Sequence, residues 1–420
     1  MKNLTLFKII TNYQLFEIFV LGIISGIPLA IIVTTIVAWL KESGITIEVI
    51  TTFAVARLAY SLKPLWSPIV DYCSIPGLNR FGRRKSWMIF CSLLISFVLY
   101  ALSNTSPNST LSTLYVLTIC LGIFSATFDI SFDAFRIERL EQNTQGLGAA
   151  CAVFGYRIGL LLAGGGALYL AHIIDSWAQT FLYMSGIFII SVVFIFFINE
   201  QQYDTKSSID ISLRNLRILV IKPFIDFLNR EGSVPVLLAV IFFKLGDAML
   251  GVVSIPFYLE LGYSKEQIAI AVKIYGFAAT ILGTYAGGFI IYKIGYFRGL
   301  IVSGIVQSIT HLTFVWLNHQ NADFQALFTA ISIENFAAGM GAAALVAYVS
   351  ILCNKKYAAT QYAMLSSAAS LFNNTVTIYG GTLVHQIGWD YFFILTIILA
   401  IPGILLLVYL QKRYKHIIID

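Results

Sequence analysis

The chain has 420 residues, of which 58% are hydrophobic and only 11% charged, with a formal net charge of +6. Soluble globular chains run at about 45–50% apolar and roughly 25% charged residues, so a mean hydropathy of +0.82 leaves too few polar side chains to coat a water-facing surface. Disorder, nucleic-acid binding and an ordinary soluble enzyme are excluded, and the excess of cations is read as loops on one side of a membrane.

The start carries Lys2 and Lys8 and runs into an apolar stretch too long for a signal peptide and without a small-residue cleavage site, so the first span, 13–40, is expected to be kept as a helix. Its Glu17 lies about one turn inside and is placed to reach the headgroups. The second span, 46–70, holds Arg57, and the third is 86–103. The fourth, 111–137, carries Asp129 and Asp133 with Arg136 on the same stripe. The fifth, 146–172, holds Arg157, and the sixth is 178–198. The hydrophilic stretch 199–232 then divides the chain into an N-terminal bundle, 1–198, and a C-terminal bundle, 233–420. In the second bundle the spans are 234–260 with Lys244 and Asp247, 266–292 with Lys273, 299–317 with His311, 323–350 with Glu334, 359–386 and 389–411. The pattern predicts an all-α integral membrane protein of twelve transmembrane helices in two six-helix bundles.

Loop cations set the orientation. On the side of the termini stand Lys2, Lys8, Arg80, Arg83, Arg84, Lys85, Arg136, Arg139, Lys206, Arg214, Arg217, Lys222, Arg230, Lys293, Arg298, Lys355, Lys356, Lys412, Arg413 and Lys415; the other side has Lys41 and Lys265. Twenty against two predicts both termini in the cytoplasm. The halves also repeat: Gly44-Ile-Thr-Ile-Glu-Val-Ile50 returns 218 residues later as Gly262-Tyr-Ser-Lys-Glu-Gln-Ile268, each with a Thr or Ser placed to cap the next helix. Arg57 and Lys273 follow at nearly the same interval.

A six-plus-six chain with a half-length repeat resembles the major facilitator superfamily. So does Lys63-Pro-Leu-Trp-Ser-Pro-Ile-Val-Asp71 followed by Gly82-Arg-Arg-Lys85, similar to that superfamily's Asp…Gly-Arg-Arg loop. The loop is no P-loop, since it lacks Gly-Lys-Ser/Thr and a preceding strand. Phe128-Asp-Ile-Ser-Phe-Asp-Ala134, Gly155-Tyr-Arg-Ile-Gly159, Phe243-Lys-Leu-Gly-Asp-Ala248, Glu334-Asn-Phe-Ala-Ala-Gly-Met-Gly341 and Cys353-Asn-Lys-Lys-Tyr-Ala-Ala-Thr-Gln-Tyr-Ala363 resemble, in that order, the AmpG muropeptide permeases. The resemblance covers the chain from about Gly22 to Ile404. It implies proton-driven import of anhydro-muropeptides across the inner membrane of a Gram-negative bacterium, without cofactor, metal or enzymatic activity. The second-half loop Gly288 to Arg298 has no acidic residue to match Asp71, so a gate built on Asp71 is asymmetric.

Charges within the spans are the candidate site, because each costs a few kcal/mol at the bilayer centre and must face a cavity or a partner. Asp129 and Asp133, about 6 Å apart on one helix face, are proton-coupling candidates, with Asp247 and Glu334. The competing assignment for Asp133 is a permanent pair with Arg136. Arg57, Arg157, Lys244 and Lys273 are candidate contacts for substrate carboxylates; they equally suit the neutralisation of the span acids. Lys244 and Asp247, three apart, are expected to pair. Asp71, Arg83 and Arg84 are candidate gate residues.

Other features are structural expectations. The Gly-x-x-x-Gly spacings at Gly22, Gly26, Gly155 and Gly159 fit close helix packing. Trp39 and Trp389 suit an outer aromatic belt and Trp87 an inner one; Tyr156 and Tyr275 suit stacking on a sugar. Five scattered cysteines read as small apolar fillers, and His311 as a helix-packing residue. The expected partners are a small-molecule muropeptide and the lipid bilayer, with no nucleic acid and no recognisable protein-partner motif. A same-fold carrier of another anionic solute, such as a CoA-type ester, and a non-transporting membrane sensor are the alternatives.

Overall fold

The computed structural model describes residues 13–200 and 213–413; Lys2, Lys8, Lys206, Lys415 and His416 lie outside them. All regular elements among the described residues are helical. This is what hydrocarbon demands, since a helix satisfies its own backbone where no water can. The elements are α1 (Tyr13–Glu42), α2 (residues 47–72), α3 (Arg83–Ser103), α4 (Leu111–Arg139), α5 (Gln142–Ile174) and α6 (Trp177–Phe197). After them come α7 (Leu213–Leu228), α8 (Ser233–Glu260), α9 (Glu266–Ile294), α10 (Tyr296–Asn318), α11 (Phe324–Leu352), α12 (Ala358–Thr377), α13 (Gly380–Ile387) and α14 (Trp389–Arg413).

Ten of these are long and apolar enough to cross a membrane. The other two predicted spans, α2 and the α12–α13 pair, are helices in pieces. In α2, 3₁₀ turns at Phe53–Arg57 and Lys63–Leu65 interrupt the α-helix. Pro64 and Pro68 explain the second break, because neither has an N–H to give. The sequence did not predict α7, which lies inside the hydrophilic stretch between the halves.

By tertiary contacts the chain forms two compact units. One comprises Met1–Glu141, Cys151–Ile225 and Cys353–Ser367; the other comprises Gln142–Ala150, Asp226–Leu352 and Ala368–Asp420. In the first, Gly22, Gly26, Gly155 and Gly159 let α1 and α5 touch backbone to backbone, as their spacing predicts. Both helices carry a π-bulge, Ile31–Thr35 and Leu162–Gly166. The two are joined where Thr35 Oγ1 donates to the Ala163 carbonyl at 2.5 Å. In the second unit, Gly283, Gly287 and Gly339 perform the same service between α9 and α11.

Several local expectations change. Ser264 caps α9 through a reciprocal bond with Gln267, whereas the matching Thr46 makes no side-chain cap. Trp39 is buried against the Phe181 ring, centroids 5.0 Å apart, and is no belt residue. Trp389 packs into an aromatic core with Phe257 and Phe393, and Trp87 Nε1 donates to the Cys73 carbonyl at 2.7 Å. Glu17 does not reach toward headgroups: it is fully buried and paired with Arg139 at 3.4 Å. The five cysteines are free thiols.

Candidate functional site

Polar side chains gather at three places, two in the first unit and one in the second. Asp71, in the last turn of α2, is 1% exposed. It accepts from Arg84 Nη2 at 2.7 Å, from the amides of Ala359 at 3.1 Å and Thr360 at 2.8 Å, and from Thr360 Oγ1 at 2.6 Å. The first amides of a helix have no intrahelical acceptor and carry its positive dipole end. Asp71 therefore caps α12 from another helix. Arg84 is fully buried and also reaches Glu138 at 2.6 Å and the Val70 carbonyl at 2.9 Å. Arg83 donates to the Asp71 carbonyl and to Glu138 at 3.2 Å. At the start of α3, Glu200 accepts the amides of Arg84 at 2.9 Å and Lys85 at 2.8 Å. Lys85 Nζ returns to the end of α6 through the carbonyls of Phe196 at 3.1 Å and Ile198 at 2.6 Å. The structure thus brings Asp71, Arg83 and Arg84 together, and adds Glu138, Glu200 and Thr360. Glu138 was legible only as one acid in the stretch Arg136 to Arg139, and Glu200 as the first charge after the sixth span.

Gly82 opens α3 at φ 110° and ψ 157°, a region nearly closed to side chains, and a Cβ there would collide with the Glu200 carboxyl. Gly295 opens α10 with φ 85° and ψ 168° but faces open space. Gly82→Ala is therefore expected to destabilise the protein by more than the roughly 1–3 kcal/mol of backbone strain that Gly295→Ala should show alone. Unfolding midpoints of the two variants test this; equal losses would mean that Glu200 yields freely.

Burial pushes the Glu200 carboxyl above its ordinary pKa of 4.5, against the two amide bonds that favour its charge. A raised acid stabilises the fold fully below its unfolded pKa and loses that contribution as pH rises through its folded value. The stability of the unaltered protein relative to Glu200→Gln should accordingly fall as the pH rises above about 4.5. A difference that grows with pH in unfolding scans contradicts this account.

The second place is the middle of α4. Asp129 accepts from Ser25 Oγ of α1 at 2.5 Å and from Lys63 Nζ of α2 at 2.9 Å. Lys63 also lies 5.2 Å from the centre of the Tyr60 ring, whose hydroxyl bonds Ser125 Oγ at 2.7 Å. Trp66 Nε1 donates to Thr127 Oγ1 at 3.1 Å. Asp129, Asp133 and Arg157 all act electrostatically on Tyr156 of α5. Lys63 is the residue that sequence reasoning missed as a site member. Its only signal was a cation beside Pro64 at the end of a predicted span. Asp133 bonds Arg136 at 3.4 Å, and Arg136 lies 5.4 Å from the centre of the Tyr362 ring. The two aspartates therefore each have their own cation.

The third place is in the second unit. Lys244 and Asp247 form the expected pair at 3.0 Å, and α8 is interrupted at Lys244, where φ is −100° and ψ is −1°. Glu334 of α11 accepts from Asn335 Nδ2 at 2.9 Å, and Asn335 Oδ1 accepts from Thr280 of α9 at 3.1 Å. Arg57 and Lys273 are exposed on distorted turns, a 3₁₀ turn and the π-bulge Ala271–Gly276. Arg157 is half-buried.

The family described as the Major Facilitator Superfamily matches residues 18–243 and 236–417. A relative from Rickettsia felis that carries the name AmpG 4 is 58% identical over 407 residues, 97% of this chain and 98% of its own. The anhydromuropeptide permease of Escherichia coli K12 is 30% identical over 398 residues, 94% of this chain and 79% of its own. A Rickettsia bellii relative named AmpG 1 is 30% identical over 405 residues, 95% of this chain and 98% of its own.

Proposed function

The chain belongs to the major facilitator superfamily, among its AmpG transporters, and on that premise we propose that it imports anhydro-muropeptides with protons. It is a multi-pass membrane transporter and not an enzyme. The observation that carries the reading is the buried Asp129, held by a single ammonium and a single hydroxyl between α1, α2 and α4. A buried carboxylate is costly unless a cation and hydrogen-bond donors meet it, and Lys63 is the cation here. Protonating Asp129 discharges it and frees Lys63, and a peptide carboxylate of the substrate then takes the acid's place. Arg57, Arg157, Lys244 and Lys273 supply further cations for such groups, while Asp133, Asp247 and Glu334 are the other proton candidates. The Asp71–Arg84–Glu138 network, with Arg83, ties the start of α12 to α2, α3 and α4, and its breaking and re-forming gates one end.

The similarity to the E. coli permease supports muropeptide as substrate. The twenty-to-two distribution of loop cations supports an inner-membrane protein with both termini in the cytoplasm. Residues 1–198 and 233–420 then form the two halves of the transport cycle, joined by the linker 199–232, and the proton gradient replaces any cofactor.

The test is uptake of labelled GlcNAc-anhydro-MurNAc-tripeptide into vesicles carrying the protein, with and without an inward proton gradient, beside Asp129→Asn. Gradient-dependent uptake that Asp129→Asn abolishes is the expected result. Uptake indifferent to the gradient sinks the symport. No uptake by well-folded protein sinks the muropeptide, and a screen of other anionic solutes follows.

A further inference from the structure

His311 of α10 is 1% exposed and faces two other helices of the second unit. Its Nδ1 lies 2.9 Å from Thr396 Oγ1 of α14, and the Thr396 hydroxyl donates to the Phe393 carbonyl at 2.7 Å. A hydroxyl has one proton to give. With that proton committed to Phe393, the bond between ring and hydroxyl requires Nδ1 to be the donor. The neutral imidazole therefore carries its proton on Nδ1 and presents a lone pair on Nε2. That Nε2 is buried and has no hydrogen-bond partner among the described residues.

The place of the ring is set by Gly246. A Cβ there would run into the Thr396 carbonyl and come within 3.5 Å of His311 Cε1. Cε1 lies between the two ring nitrogens, so the imidazole edge rests against the α8 backbone one residue before Asp247. From α8, Asp247 and Lys244 are the charged groups that act on the ring. From α14 comes Thr396, and from α10 itself Gln307, one turn earlier, which also faces Asp247. From α11 comes Gly341, against Gln307, while the acid of that helix, Glu334, acts on Tyr258 instead.

We propose that His311 is a proton-binding residue of the transport cycle, its Nε2 taking up the proton that loosens the Lys244–Asp247 pair. A proton from water adds to the Nε2 lone pair and gives an imidazolium with both nitrogens protonated. The new positive charge competes with Lys244 for Asp247, and the Lys244 ammonium becomes available to an anionic group of the substrate. Return of the proton from Nε2 to water restores the pair. The inference rests on the proton-driven reading above and adds to its second unit a base beside the candidate acids Asp247 and Glu334.

Two measurements on the full chain test it. In lipid nanodiscs, with His172, His319, His385 and His416 replaced by Gln, ¹⁵N-histidine labelling leaves the His311 ring alone in the spectrum. The ring should show the Nδ1–H form near pH 8 and gain its second proton when the sample is acidified. A ring on the other tautomer, or one neutral throughout, overturns the proposal. In vesicles, His311→Asn should lose gradient-driven muropeptide uptake by at least about tenfold, and whatever gradient-free exchange of labelled for unlabelled substrate remains should no longer rise on acidification. Unchanged driven uptake overturns the proposal, and so does remaining exchange that keeps the pH dependence of the unaltered protein, as a packing role alone would leave it. If the unaltered protein moves no muropeptide while the ring still titrates as described, the proposed function falls and the proton site stands.

Discussion

Arg84→Ala is expected to cost the protein about 3–5 kcal/mol of stability, the loss typical of stripping one partner from a buried ion pair. Arg84 is fully buried, and its guanidinium is shared between Asp71 at 2.7 Å and Glu138 at 2.6 Å. Truncation leaves two carboxylates with Arg83, the Thr360 hydroxyl and the α12 amides beside them but without the guanidinium they shared. Arg84→Lys should recover little, because an ammonium cannot present the planar fork that meets Asp71, Glu138 and the Val70 carbonyl together. Arg84→Met combined with Glu138→Gln should recover more than Arg84→Lys, since one stranded charge is then removed. Denaturant or thermal unfolding of the purified protein measures all three. If Arg84→Ala unfolds within about 1 kcal/mol of the unaltered chain, the network contributes no more than a surface pair and cannot hold the helix ends.

What the sequence made legible follows the range of the interactions. Apolar runs located the spans, because hydrocarbon thickness fixes their length locally. The i,i+3 pair Lys244–Asp247 was foreseen for the same reason, and Asp133–Arg136 was the competing assignment for that acid, since helix geometry alone brings such residues together. The partners of Asp129 and Arg84 were not foreseen. Lys63 is 66 residues from Asp129, and Glu138 is 54 from Arg84, and no periodicity connects them. Glu17 was misjudged because depth along a helix was taken for exposure, while its face turns to Arg139 of α4. Trp39 failed likewise: a position suited to the interface sits on a face that packs on Phe181. His311 looked inert in the sequence because its meaning depends on Thr396, 85 residues away.

Lys63→Met is expected to lower gradient-driven uptake about 10–100-fold, the rate equivalent of losing a charge-assisted bond of roughly 1.5–3 kcal/mol. The bond in question is the 2.9 Å contact of its ammonium with Asp129. Without it Asp129 keeps only Ser25 Oγ as a donor among the described residues, and a buried carboxylate with one neutral donor is costly. The variant should therefore lose the exchange of Lys63 between Asp129 and substrate, which uncouples uptake from the gradient rather than unfolding the protein. Lys63→Arg should fall between the two, because it keeps the charge but brings a fork where a point charge fits. The double variant Lys63→Met with Asp129→Asn is the decisive comparison. It removes both charges, so its gradient-free exchange should equal or exceed that of Lys63→Met alone, while gradient-driven uptake stays lost. Uptake by Lys63→Met equal to that of the unaltered protein would separate the pair from the proton step and leave Asp129 a structural acid. Driven uptake in the double variant would move proton coupling away from Asp129, to Asp133 or to the Asp247 and His311 side of the chain.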